Sequence, residues 1–302
     1  MRRATALLLA SAAMSAGTAQ AFVRTTTDKN VPVRWSHTCV TLIAHTAGPP
    51  PNETPELVAS AAQAAAATWS HDTLSCSGFN MLVTIDATTP MATAANDGSN
   101  HMFFRQDAWP YEPSALAITT VFARQDTGTI LDADVELNAV AGGRFKWGDL
   151  VAGIGTGVHV EDLQNTLTHE FGHFLGLDHN CYLSGSSAKR GVDQNGNQVP
   201  ECERASAEVM EATMFAAVSP GDTLRRTLTE DDMAGVCAIY PAASYTPPQV
   251  LDGGAITCAA TDDGLSKGGG CSFGGGGSAA GLLGAAGLVL SVLGLRRLRR
   301  RG

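Results

Sequence analysis

Apolar positions in the body of this chain follow two patterns: short runs bounded by turn residues, and stretches repeating every three or four residues. The first pattern predicts strands at 31–35, 39–43, 81–85, 115–122 and 130–137. Gln125-Asp126-Thr127-Gly128 joins the last two as a hairpin, and Gly48-Pro49-Pro50-Pro51-Asn52 ends the first pair. The second pattern predicts helices. An alanine-rich helix runs from 55 to about 69, with Thr54 as N-cap, Pro55 in the first position and acids in the first turn. Over 160–177, Leu163, Leu167, Phe171 and Phe174 recur at helical spacing, and Gly176 is a natural stop. Thr229-Glu230-Asp231-Asp232 opens another helix, with a capping hydroxyl and acids where the helix dipole favours them.

Both ends depart from this pattern. Residues 1–21 carry Arg2-Arg3, the apolar run Ala6-Leu7-Leu8-Leu9-Ala10 and the small-residue site Ala19-Gln20-Ala21, the three parts of a secretory signal peptide cleaved before Phe22. Export makes disulfides permissible. Past Tyr240-Pro241 the composition shifts to Pro, Gly, Ala and Ser, so 242–270 reads as a linker. Residues 278–295 carry no charge and precede an arginine cluster. As a helix they would reach about 27 Å, enough for a bilayer core, with the arginines on the cytoplasmic side. The same stretch is also glycine-rich enough to read as a disordered tail.

Charge narrows the function. The chain has 302 residues with 20 Lys plus Arg and 29 Asp plus Glu. Seven of the basic residues sit at the two ends, so 22–270 holds all 29 acids against 13 basic residues, a net charge of -16. Such a body is a poor ligand for nucleic acid.

The chemistry concentrates in His169-Glu170-Phe171-Gly172-His173-Phe174-Leu175-Gly176-Leu177-Asp178-His179. Four residues make about one helical turn, so His169 and His173 project from one face and can share an ion. Glu170 is rotated about 100° from His169, within reach of a water on that ion without having to ligate it. Gly176 can adopt a left-handed conformation, turning the chain so that His179 returns as a third ligand. Three neutral nitrogens leave a fourth position on Zn2+ to water, as in catalytic rather than structural sites.

The string fits H-E-x-x-H-x-x-G-x-x-H and resembles the metzincin clan of zinc endopeptidases; the surrounding residues are similar to the matrixin family. Asn165-Thr166-Leu167-Thr168 resembles the matrixin helix start, and residues 130–138 resemble the strand bordering its substrate cleft. Ala212-Thr213-Met214-Phe215 stands where the Met-turn belongs, which implies Met214 beneath the zinc; 228–240 resemble the closing helix. The resemblance spans about 31–241. It implies an α+β catalytic domain with a twisted mixed sheet, a backing helix, an active-site helix and a C-terminal helix. It also implies a monomer that hydrolyses protein or peptide substrates. Departures are present: Asn180 follows the third histidine where matrixins commonly have serine, and the 179–214 connection is long and carries Cys181 and Cys202. The Met-turn lacks its usual proline, and no histidine-rich loop or cysteine switch is visible. At the other end, Cys271 in a glycine-rich stretch, an apolar segment and terminal arginines resemble the myxobacterial C-terminal sorting signal, MYXO-CTERM. That resemblance implies proteolytic removal of the apolar segment and surface retention through modified Cys271, with the membrane met through 271–302 and an exported protein held on the cell surface, at the outer membrane, or outside the cell.

Other readings accompany this one. A surface adhesin or binding protein that keeps a metal for stability would carry the same histidines, as would a zinc hydrolase of non-peptide amides. Asp132 and Asp134 share a strand face and suit Ca2+ or plain exposure. Asp193-Gln194-Asn195-Gly196-Asn197 alternates oxygen side chains as calcium loops do, and equally suits a simple turn. Six body cysteines allow fifteen pairings. The expected set is Cys39 with Cys76, Cys181 with Cys202, and Cys237 with Cys258, leaving Cys271 odd.

Overall fold

A computed structural model describes residues 22–50, 53–91, 93–140, 142–155, 160–185, 190–251, 256–258 and 286–295. The signal-peptide reading of 1–21, Cys271 and the terminal arginines lie outside these residues.

The chain begins with strand β1 (Val23–Arg24), β2 (Cys39–His45), helix α1 (Pro55–Trp69), β3 (Asn80–Asp86) and β4 (Asn100–Arg105). The hairpin β5 (Ala115–Arg124) and β6 (Ile130–Asn138) follows, then β7 (Lys146–Gly148) and β8 (Val160–Asp162). Helix α2 (Leu163–Phe174), β9 (Leu177–Asp178), α3 (Ala207–Glu211), β10 (Ala217–Val218) and α4 (Glu230–Ile239) come next. The chain closes with β11 (Gln249–Val250), β12 (Ile256–Thr257) and β13 (Ala286–Leu295).

The main sheet has the order β10-β13-β5-β6-β4-β2-β3. Strands β3, β2, β4 and β6 are parallel, whereas β5 pairs antiparallel with β6 and with β13. The α+β architecture agrees with a metzincin-like domain. Alternation along β6 separates its two faces. Ala133, Val135 and Leu137 join the core with Leu163, Leu167, Phe171 and Phe174 of α2 and Val58, Ala62, Ala65 and Trp69 of α1. Asp132, Asp134 and Glu136 lie on the opposite face and are equally buried.

Local signals fixed the helices well. The Thr54 hydroxyl accepts from the Leu57 amide and caps α1, which ends at Trp69 as its pattern requires. Helix α2 is shorter than its apolar pattern, because Asp162 caps it by accepting from the Asn165 amide and 160–162 form β8. At α4, Thr229 and Asp232 form a reciprocal capping box.

Three expectations are corrected. First, the expected membrane helix over 278–295 is not seen: 286–295 form strand β13, and 278–285 lie outside the described residues. Gly287 and Gly294 weaken a helix, Val289 and Val292 favour extended backbone, and β5 offers a row of backbone groups to pair with. Among the described residues no helix is long and apolar enough to cross a membrane. Second, 130–138, expected to border the substrate cleft, form β6 between β5 and β4, and it is β5 that reaches the site, through the Thr119 hydroxyl on Glu170. Residues 242–251, in the stretch read as a linker, also contact the domain. Tyr245 stacks on His71 with ring centroids 4.0 Å apart, and the Thr38 hydroxyl donates to the Ser244 carbonyl. Third, two disulfides differ. Cys258 meets Cys39, and the turn holding Cys76 faces the end of α4, so Cys76 joins Cys237. Cys181–Cys202 is as expected.

Candidate metal centre and active site

Helix α2 carries His169 and His173 on its inner face, and the chain turns at Gly176 with φ +96° to deliver His179. A Cβ on Gly176 would lie 2.6 Å from the Val33 carbonyl oxygen, so both the dihedral and the close approach require glycine. The Nε2 atoms of His169, His173 and His179 converge to 3.0–3.1 Å from one another.

Backbone carbonyls set the tautomers. His169 Nδ1 donates to the Thr213 carbonyl at 2.5 Å, and His173 Nδ1 donates to the Leu177 carbonyl at 2.9 Å. In the neutral rings both Nε2 atoms are therefore bare acceptors. Burial pushes His173 down to about 4, and burial followed by the neighbouring histidines pushes His169 and His179 well below the ordinary imidazole value. Three facing lone pairs repel unless a cation lies between them. Tetrahedral Zn2+ at its usual bond length needs nitrogens about 3.3 Å apart, so the donor set fits zinc. Among the described residues this is the one cluster of three or more His, Cys, Asp or Glu side chains arranged to hold a metal.

Glu170 is fully buried on the same helix. Burial raises its pKa to about 8, opposed by the Thr119 hydroxyl, which donates to Oε2 at 2.6 Å. Oε1 has no protein partner. One oxygen is thus anchored to β5 while the other is left for a ligand or water.

Met214 is buried beside Gly172, where an added Cβ would come within 2.2 Å of its Sδ. It therefore underlies the turn of α2 between the two helical histidines. Asp232 holds this segment: its carboxylate accepts from the Thr213 and Met214 amides at 2.8 and 3.1 Å while also serving the α4 cap. Asn180, the departure noted in the sequence, receives the same segment from the other side. Its amide nitrogen donates to the Met214 carbonyl and its side chain to the Val209 carbonyl.

Several of these contacts escaped sequence reasoning. Thr119 lies in an unremarkable apolar strand, and nothing local links it to Glu170. Asp232 was legible as a capping residue, but its second role depends on a chain crossing 18 residues away. The calcium readings gain no support. Asp134 accepts from the Ala95 and His101 amides, Asp132 from those of Asp97 and Gly98, and Asp193 from those of Asn195 and Asn197. These carboxylates organise the loops around them.

Residues 154–250 match the family described as Peptidase_M43: Pregnancy-associated plasma protein-A. No curated protein matches the chain. The matched region contains the three histidines, Glu170, Met214 and α4. The matched family is a pappalysin-type metzincin family, different from the matrixins, so the match does not support the matrixin subtype. The match and the histidine triad together support a zinc-dependent metallopeptidase of the metzincin clan.

Proposed function

We propose that the protein is an exported zinc endopeptidase that cleaves extended segments of protein or peptide, with Glu170 as general base. The observation that carries this reading is the pairing of three converging imidazole nitrogens with a buried glutamate, one oxygen anchored by Thr119 and the other without a protein partner. His169, His173 and His179 would hold the metal. Bound zinc lowers the pKa of a coordinated water and polarises the scissile carbonyl. Glu170 takes the water's proton and returns it to the leaving amine; its raised pKa suits a group that must both accept and release a proton. Thr119 keeps the carboxylate from rotating away. Met214 and Asp232 keep the floor of the site fixed against α2.

An extended peptide would add to β5 by strand pairing, since β5 is the strand that carries Thr119 beside Glu170. Three body disulfides fit an oxidising compartment, in line with the signal-peptide reading of 1–21. On this reading the protein works as a monomer at the surface or outside the cell. Retention runs through modified Cys271 rather than through an apolar helix, and the net charge of 22–270 keeps nucleic acid out of its partners.

The test is zinc analysis of the purified chain together with digestion of casein. Chelator-sensitive cleavage restored by zinc supports the reading. Stoichiometric zinc with no cleavage of any unstructured protein would favour a metal-stabilised adhesin instead.

A further inference from the structure

Strand β13 does not lie at an arbitrary edge. It runs antiparallel to β5, from Ala286 opposite Arg124 to Gly294 opposite Ala115, and parallel to β10, with Gly294 opposite Ala217 and Leu295 opposite Val218. Strand β10 begins three residues after Met214, and β5 carries Thr119. The groove between them therefore has catalytic elements on both sides, and the segment filling it is hydrogen-bonded to each wall. Ser291 lies opposite Thr119, the residue whose hydroxyl anchors Glu170. Ser291 is thus the strand neighbour of the residue that anchors the general base.

This course is the one an extended substrate would need. Without β13, the outward amides and carbonyls of β5 would form an open edge. The occupant is uncharged from Ala286 to Leu295 and contains Leu288, Val289, Leu290, Val292 and Leu293. On the β5 wall, Ile118, Thr119, Thr120 and Val121 are all buried.

We infer that residues 286–295 occupy the substrate groove between β5 and β10 in cis, so that the full chain is latent until this segment is withdrawn. The inference rests on the endopeptidase reading, and adds that the groove takes extended, uncharged, aliphatic segments. It requires no covalent step. It also supplies the latency that a chain without a visible cysteine switch would otherwise lack.

The test compares the zinc-loaded chain 22–302 with two variants, Ser291→Pro and Val289→Pro/Ser291→Pro. Proline removes a backbone donor from β13 and leaves the body of the domain untouched. Two measurements are made on each: amide exchange over Ala115–Arg124, and kcat/KM on an unstructured aliphatic peptide. The expected result is faster exchange of the β5 amides that point away from β6, with kcat/KM raised at least ~10-fold, as when a minor competent state becomes dominant. Equal exchange in parent and variants would overturn the inference whatever the activity. Faster exchange with unchanged, measurable activity would overturn latency. Protection that appears only at concentrations where the chain dimerises would place the occupant on a second copy and defeat the cis assignment. Faster exchange with no cleavage by any zinc-loaded form would uphold the seat of β13 and count against the endopeptidase reading, so the two failures are distinguishable.

Discussion

The Thr119 hydroxyl donates to Glu170 Oε2 at 2.6 Å and so joins the strand on the cleft side to the helix that bears the metal ligands. Replacing it with Val keeps the shape and removes the donor. The expected loss is about 1 kcal/mol of orientation, or roughly fivefold in kcat, while Thr119→Ser keeps most of the activity. Zinc content should not change in either variant. Steady-state kinetics beside metal analysis checks this, and a Val variant that loses zinc would show that Thr119 acts on the ligands instead.

Gly172 and Met214 are packed so closely that a Cβ at Gly172 would collide with the Met214 sulfur and press on Trp69. Gly172→Ala should therefore cost about 1–3 kcal/mol through overpacking. In Gly172→Ala/Met214→Ala the new methyl partly fills the vacated space, so the combined loss should fall short of the sum of the single losses. Urea denaturation of the four proteins measures the coupling; strict additivity would contradict this contact.

Asp232 accepts four hydrogen bonds that tie the start of α4 to the Thr213-Met214 segment, and the Thr213 carbonyl in turn orients His169. Removing the carboxylate in Asp232→Ala strands buried amides, with an expected cost of about 2–4 kcal/mol. Weaker zinc binding should accompany it, because the His169 tautomer loses part of its support. Calorimetric zinc titration separates this outcome from a purely global loss of stability.

What the sequence made legible was local. Thr54 and Pro55 announced α1, the i, i+3 and i+4 apolar residues announced α2, and the histidine spacing with Gly176 announced the metal centre. What it hid was pairing over long separations. Cys39 joins Cys258 across 219 residues, and no local pattern records that meeting. The same holds for the place of β5 on the cleft side. Both hairpin strands are apolar, so the pattern identified the pair without saying which of them reaches Glu170. Residues 286–295 had the composition of a membrane helix, and the backbone groups of β5 gave them another partner.

Glu53 gives a pH signature away from the catalytic residues. Burial and then the neighbouring Asp149 and Asp162 raise its pKa from 4.5 to about 7, and neither carboxylate oxygen has a partner. The folded chain therefore holds this proton more tightly than the unfolded chain. The resulting stability is present in full below about pH 4.5 and is lost as pH rises through about 7. Glu53→Gln, which stays neutral, should leave Tm at pH 4.5 nearly unchanged and raise it by a few degrees at pH 8. Thermal unfolding at the two pH values checks the sign, and a variant less stable at pH 8 would contradict it.

The central claim is that three histidines hold zinc while Glu170 moves the proton. Its most direct test is Glu170→Gln in the Val289→Pro/Ser291→Pro background, with bound zinc and casein cleavage measured on the same preparation. The account predicts one equivalent of zinc with and without the Gln substitution, and a loss of about 10²–10⁴-fold in kcat when Glu170 is replaced. Comparable turnover with Gln at position 170 would contradict it.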